Sequence, residues 1–228
     1  MTADGQKIVH IAKVTGVHGM EKHLLTLLPR LNSQPYEIAF LILIDPQHPV
    51  ADYLESLKQQ SIATHPVAIH HDIDPFCFWA VLKYLKQIKP ILVHTHLMHG
   101  DLYGIAAARC AGIKTIVSSK HNDDAFRLRQ PLKIINYVLN KNTSRIIAIS
   151  DWIARFTQTI EGVAREKIRT IYYGIEPAQT SSDRDTLRAS LNMDKEDIVV
   201  GIIARLVEQK GHRYLIDGFA KAVTENQK

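Results

Sequence analysis

Tyr36-Glu-Ile-Ala-Phe-Leu-Ile-Leu-Ile44 (YEIAFLILI) is the stretch that decides the fold. From Ile38 onward every residue is apolar, so neither face is left for water. A half-exposed strand alternates apolar and polar residues. An unbroken apolar run with polar ends is instead a strand covered on both faces, the condition of a parallel sheet. The flanking sequence agrees. Upstream, Lys7–Ala12 (KIVHIA) reads as a strand, and Met20–Leu31 as a helix with Leu24, Leu27, Leu28 and Leu31 on one face. Downstream come a helix at Val50–Gln60, a strand at Ala63–Ile69, and a helix at Pro75–Ile88 with proline in its first turn.

The alternation continues with strands at Ile91–Thr95, Thr115–Ser118, Arg145–Ile149 and Ile168–Tyr172. Helices at Leu102–Cys110, Leu128–Asn140 and Asp151–Ile160 lie between them. Repeated strand–helix units joined by right-handed crossovers make an α/β fold, a doubly wound, Rossmann-like parallel sheet over residues 1–176. Residues 177–196, opening PAQTSSDRD, are polar and turn-rich and read as a linker. Residues 197–228 hold a strand (Ile198–Ala204), a loop and a helix (Tyr214–Val223). One strand–helix unit cannot cover a parallel strand on both sides, so this reads as the opening of a second Rossmann-like domain left incomplete.

Composition bounds the function classes. With 46% hydrophobic and 22% charged residues, the 228-residue chain has an ordinary globular profile that buries a core without staples. Its polar first residues lack a signal-peptide core, and no apolar run approaches the ~18 residues of a membrane span. The expected location is the cytoplasm. The net charge of +5 is spread out, with no basic run interleaved with aromatics, which argues against nucleic acid as a partner. Cys77 and Cys110 stand far apart in apolar helical stretches and read as buried reduced thiols.

In an open parallel sheet, ligands bind beyond the carboxyl ends of the strands, so the strand-to-helix loops hold the candidate residues. After the first strand come Gly16, His18, Gly19 and Glu21. The glycines there read either as room for a ligand at a helix N-terminus or as plain turn residues. The fourth loop carries His94-Thr-His96-Leu-Met-His99-Gly-Asp101. His94 and His96 share a strand face, which admits a metal-dependent hydrolase built on His94, His96 and His99. Met98 stands where that hydrolase pattern places an aspartate, so polar groups facing a cleft, or structural histidines, are the other readings.

The next loop, Ser118–Asp124 with His121, suits hydrogen bonding to hydroxyls, or is an ordinary surface loop. Ser150 stands where a helix cap is needed. In Gly201-Ile-Ile-Ala-Arg205 through Gln209-Lys-Gly211, two cations flank a loop that precedes a helix. Arg205 and Lys210 there suit a diphosphate, or form a solvated charged loop. The basic rim Arg127, Arg129, Lys133, Lys141 and Arg145 beside the apolar stripe Leu132, Ile135, Val138 and Leu139 admits contact with anionic lipid headgroups, or a solvated helix face.

Taken in order, His18-Gly-Met-Glu21, Val93-His-Thr-His96, His121, Ile147-Ala-Ile-Ser150, Tyr173-Gly174-Ile175 and the Gly201–Gly211 stretch resemble the retaining glycosyltransferases of the GT-B fold, the glycosyl transferase group 1 family. The resemblance spans essentially the whole chain. It departs at His18-Gly19, where the family often has paired glycines. It implies an acceptor-side domain followed by a nucleotide-sugar-binding domain, with retention, no obligatory metal and no cofactor. Gly19, Arg205 and Lys210 would meet the donor, His121 would stand at the transferred sugar as the catalytic residue, and His18, His96 and Ser150 would serve the acceptor or sugar. The partners would be a nucleotide sugar and a glycan or lipid-linked acceptor, with peripheral contact at the inner face of a membrane. The family's paired glutamates of the donor domain would fall beyond Lys228, so the 228-residue chain alone is expected to be inactive. A non-catalytic sugar- or partner-binding remnant is the remaining reading.

Overall fold

The computed structural model describes residues 6–32, 35–123, 129–176 and 183–226. Asp124, Arg127, Leu128 and the residues 177–182 that open the expected linker lie outside the described residues. The chain divides into two units, Met1–Glu176 and Pro177–Lys228.

In the first unit, the described residues form a sheet of seven parallel strands in the order β3-β2-β1-β4-β5-β6-β7. The strands are β1 (Gln6–Val14), β2 (Tyr36–Ile44), β3 (Ala63–Ala68), β4 (Leu92–His96), β5 (Thr115–Lys120), β6 (Arg145–Ala148) and β7 (Ile168–Thr170). The helices are α1 (Gly19–Asn32), α2 (Ala51–Gln59), α3 (Pro75–Ile88), α4 (Leu97–Gly100), α5 (Ala106–Cys110), α6 (Leu132–Lys141) and α7 (Asp151–Thr159). The sheet carries a core on each face. Val9, Ile11, Leu41 and Val93 pack under α3 and α5, while Phe40 and Ile42 pack with Leu24 of α1 and Tyr53 of α2. This two-sided burial is why β2 needs its unbroken apolar run.

The order reverses between β1 and β4, which places the topological switch point there. The chain leaves β4 at Leu97, whose φ of 60° is unusual for a leucine and turns the backbone sharply into α4. A turn of π-helix, Asp101–Ile105, joins α4 to α5, so the helical segment begins at Leu97, five residues before the expected Leu102. Small residues let it lie close on the strands. A Cβ at Gly100 would sit 2.6 Å from the Ile11 carbonyl oxygen, and one at Gly104 would sit 2.5 Å from Thr95 Cγ2. The obstruction at Gly100 is backbone in the middle of the sheet, which cannot rotate away. Gly100→Ala is therefore expected to destabilise the unit by ~1–3 kcal/mol, read as a lowered denaturant midpoint.

Several expectations need correction. Cys110 is exposed, at the end of the short α5, whereas Cys77 is buried; both are free thiols. In α6 the buried residues are Asn136, Leu139 and Asn140, while Val138 is half exposed. The helix is turned toward polar anchors: Asn140 Nδ2 donates to Glu161, and Lys167 Nζ donates to the Asn140 carbonyl.

In the second unit, α8 (Arg184–Ser190) forms within the expected linker, capped by Asp183, whose carboxylate accepts from Thr186 N–H. The expected strand Ile198–Ala204 is not paired to another strand among the described residues, and Ile198 and Ile203 are exposed. A strand exists only through its ladder, and an apolar run without a partner stays a bare segment. The last helix, α9 (His212–Asn226), is longer at both ends than expected.

Candidate functional site

The switch point between β1 and β4 is lined by imidazoles. His10 pairs with His94 in register across the two strands, and His96 stands two residues further along the same face. Burial is nearly complete, at 1%, 9% and 1% exposure for His10, His94 and His96. Desolvation, reinforced by neighbouring imidazoles, holds His10 and His96 well below the usual histidine pKa, and desolvation brings His94 down to about 4. All three are neutral near pH 7, with one donor and one acceptor nitrogen each.

These groups form a connected array. His10 Nδ1 and His96 Nε2 lie 3.0 Å apart, and His96 Nδ1 lies 3.1 Å from His121 Nε2. His121 Nδ1 is hydrogen-bonded in turn to the Tyr173 hydroxyl. His94 branches off, with its Nε2 2.8 Å from Ser119 Oγ. Tyr173 stacks on His23 of α1 with ring centroids 3.8 Å apart. His96 and His121, named from sequence as separate loop residues, are thus in direct contact at the carboxyl ends of β4 and β5.

On the opposite face of the same strands, Asp101 accepts from Thr95 Oγ1 at 2.5 Å and Ser118 Oγ at 2.7 Å. It also accepts from Lys120 Nζ at 2.7 Å, in an ion pair whose two side chains are each 1% exposed. The close approach allowed by Gly100 and Gly104 brings Asp101 within reach of these strand residues.

The other sequence candidates fall as follows. His18 is exposed at the start of α1, where its N–H donates to the buried Glu21 at 3.1 Å, as in a capping box. A Cβ at Gly19 would meet nothing within 4 Å, so this position faces open space and no packing demand requires glycine. Ser150 caps α7, its Oγ accepting from Ile153 N–H at 3.2 Å, which is the structural role its position suggested. Arg205 and Lys210 belong to the second unit and are exposed on the segment that leads, through Gly211 with its φ of 70°, into α9.

His99 does not join the imidazole array. Its Nε2 lies 2.9 Å from Asp72 Oδ1, so the ligand set His94, His96 and His99 of the hydrolase reading is not assembled. The cluster that does form, His10, His94 and His96, brings one ring nitrogen from each within 4.8 Å. Its rings are stacked or tilted, with centroids 4.3 to 5.3 Å apart. They already hydrogen-bond to one another or to Ser119, so the arrangement present is a hydrogen-bonded stack. His10 and Tyr173 were not singled out from sequence as site residues. The usable signal for His10 was its place in the apolar strand KIVHIA, where a lone imidazole needs a buried partner.

Comparison with known proteins places this geometry. A curated relative, the Escherichia coli UDP-Gal:alpha-D-GlcNAc-diphosphoundecaprenol alpha-1,3-galactosyltransferase, is 25% identical over 230 residues, covering 96% of this chain and 58% of the relative. The crystal structure of Anabaena HepE in complex with UDP and glucose superposes with a TM-score of 0.75 at 20% identity, over 95% of this chain and 58% of that one. A glycosyltransferase from Rickettsia africae gives a TM-score of 0.72 at 13% identity, over 96% and 58% of the two chains. The chain thus spans somewhat more than half the length of these relatives, and the structural likenesses establish the GT-B architecture. The model for Glycosyltransferase Family 4 matches residues 17–179, most of the first unit. The chain belongs to Glycosyltransferase Family 4.

Proposed function

We propose that this protein transfers a sugar, with retention of anomeric configuration, from a nucleoside-diphosphate sugar to a glycan or lipid-linked acceptor. The observation that carries the reading is the convergence of His96, His121 and Tyr173 at the switch-point end of the sheet, in a chain of this family. Residues 1–176 serve as the acceptor side, residues 177–196 as the connection, and residues 197–228 as the first part of the donor side. His121 stands at the transferred sugar as the catalytic residue, with Gly19 leaving open space beside the donor. His18, His96 and Ser150 border the acceptor or sugar. No metal or further cofactor takes part in the reading.

The lipid-linked class of acceptor draws support from two sources. The Escherichia coli relative is named for a diphosphoundecaprenol acceptor. In this chain, a cavity of about 580 Å³ beside α3 and α4 is lined by Phe78, Met98, Leu102, Leu132 and Ile135, with Asp72 and His99 also in its wall. An apolar wall beside polar groups suits an acceptor with a hydrocarbon part and a polar head. No helix among the described residues is long and apolar enough to cross a membrane. In this reading the protein meets the inner face of a membrane by peripheral contact.

Arg205 and Lys210 hold the donor's diphosphate in this reading and stabilise charge on the departing nucleotide. Each replaced singly by alanine is expected to lower kcat/KM for the donor by a factor on the order of 10². Thermal stability should stay unchanged, because both side chains are exposed. Steady-state kinetics of the native protein, as its source makes it, with varied nucleotide sugar make the test, and unaltered donor kinetics in both variants would remove these residues from the donor site.

A further inference from the structure

We propose that the outer sides of α3 and α6 form one docking face, by which the first unit rests on a bilayer containing anionic lipid. The inference deepens the reading of a protein at the inner face of a membrane, on which it rests, by naming the surface and the side chains that make the contact.

The outward stripe of α3 is an odd one for water. Phe76, Trp79, Lys83 and Lys86 follow at spacings of three and four and so share one side of the helix. All four are exposed, Phe76 at 86% and Trp79 at 62%. The other side, with Cys77, Val81, Leu82 and Leu85, is buried. In α6, Ile134, Tyr137, Val138 and Lys141 are exposed on the side away from the buried Leu139. Lys141 Nζ lies 4.8 Å from the centroid of the Tyr137 ring, so cation and aromatic share one patch. One exposed apolar side chain means little, but several gathered on neighbouring helices mark a surface that meets something.

The two stripes look the same way. Val81, Leu82 and Leu85 of α3 and Leu139 of α6 belong to one core cluster, so both outer sides turn away from the sheet. Between the starts of the two helices lies the apolar cavity, with Ile73, Pro75 and Phe78 on one wall and Leu132 and Ile135 on the other. A bilayer against this face brings lipid beside the cavity that suits an acceptor's hydrocarbon part.

Charge names the partner. Neither α3, α5 nor α6, which cover this side of the sheet, contains an acidic residue, whereas Lys83, Lys86, Lys133 and Lys141 are exposed on them. Among the described residues none of these four lysines forms an ion pair. The exposed Asp72 next to α3 is already paired with His99. On the far side of the sheet the charge differs, and α2 exposes Asp52 and Glu55. Aromatic rings that settle at headgroup depth, ringed by lysines that meet phosphates, complement a negatively charged bilayer.

Co-sedimentation of the native protein, as its source makes it, with vesicles of phosphatidylcholine and phosphatidylglycerol but no polyprenyl lipid tests this. Binding should rise with the phosphatidylglycerol fraction and fall with salt. A lysine near such a surface is worth about fivefold in partitioning, so Lys83→Gln with Lys86→Gln should weaken binding by about tenfold or more. Phe76→Ser with Trp79→Ser should bring it to background, and unfolding midpoints should stay put because all four side chains are exposed. Trp152→Phe leaves Trp79 as the sole tryptophan. Its emission should shift to the blue on these vesicles and be quenched by brominated acyl chains. Sugar transfer to a detergent-dispersed acceptor should be unchanged in the variants.

Three results overturn the inference. The native protein fails to bind the vesicles, as expected of a face that meets another protein. It binds them only once a polyprenyl diphosphate is added, which assigns the face to the acceptor alone. Or the variants bind as the native protein does, which leaves the membrane reading standing and removes this face from it. Vesicle binding requires no turnover, so its outcome is separable from failure of the transferase reading.

Discussion

Replacing Asp101 by alanine is expected to cost ~3–5 kcal/mol of folding stability, because it strands the Lys120 ammonium in the core. That is a fifth or more of what a typical domain has, about 5–15 kcal/mol in total. The ammonium is 1% exposed and its Nζ is 2.7 Å from Asp101 Oδ2. Thr95 and Ser118 donate to the other oxygen, so the carboxylate is well satisfied and its removal also takes the acceptor from Ser118 Oγ, while Thr95 Oγ1 keeps the Val117 carbonyl at 3.3 Å. A paired replacement should behave differently. Asp101→Asn with Lys120→Met removes both charges at nearly constant volume, and is expected to be more stable than Asp101→Ala. Denaturant midpoints of the two variants give the comparison. A loss under about 1 kcal/mol for Asp101→Ala would mean that the ammonium finds water or another partner.

Acidification is the second large effect expected. The pKa values of His10, His94 and His96 are lowered by burial, that of His94 to about 4, from an ordinary 6.5. Between those limits the unfolded chain takes up protons that the folded chain refuses, so stability falls as pH falls. Each imidazole that stays neutral contributes a slope of up to ~1.4 kcal/mol per pH unit. The three acting together should remove several kcal/mol between pH 7 and pH 5. The contribution of His94 levels off below about pH 4, where the folded state also binds its proton. Urea unfolding at pH 7.5, 6 and 5 measures the slope, and His96→Leu should flatten it. A stability unchanged from pH 7 to pH 5 would show that these imidazoles are not held neutral.

Both effects arise from polar groups inside the sheet, which is where sequence reading was weakest. The apolar run of β2 and the helix opened by Pro75 were placed to the residue, because local pattern and capping chemistry decide them: Asp74 accepts from Phe76 and Cys77 N–H. His10 carried no local mark of function. Its meaning comes from β4, a strand more than 80 positions away that lies beside it only because the sheet order reverses there. Asp101 was visible as a loop residue, but its charge partner on β5 was not, since the approach depends on Gly100 and Gly104 pressing the helix onto the strands. Strand Ile198–Ala204 was read from composition alone, and composition cannot supply the neighbour that a ladder requires. His96, His121 and the loop after β1 were named as candidates for a simpler reason. The carboxyl end of a parallel strand is where this architecture places its ligands, whatever they are.

The central claim is that the protein moves a sugar from a nucleotide to an acceptor. The direct measurement is to incubate the native protein, as its source makes it, with nucleoside-diphosphate sugars radiolabelled in the sugar and a polyprenyl-diphosphate-linked glycan. The label is then followed into the lipid phase, and the anomeric configuration of the product is read by NMR. Label in the lipid product with the donor's configuration kept is the result predicted. A donor left intact, or merely hydrolysed, across the common nucleotide sugars and with both lipid-linked and free glycan acceptors would contradict it.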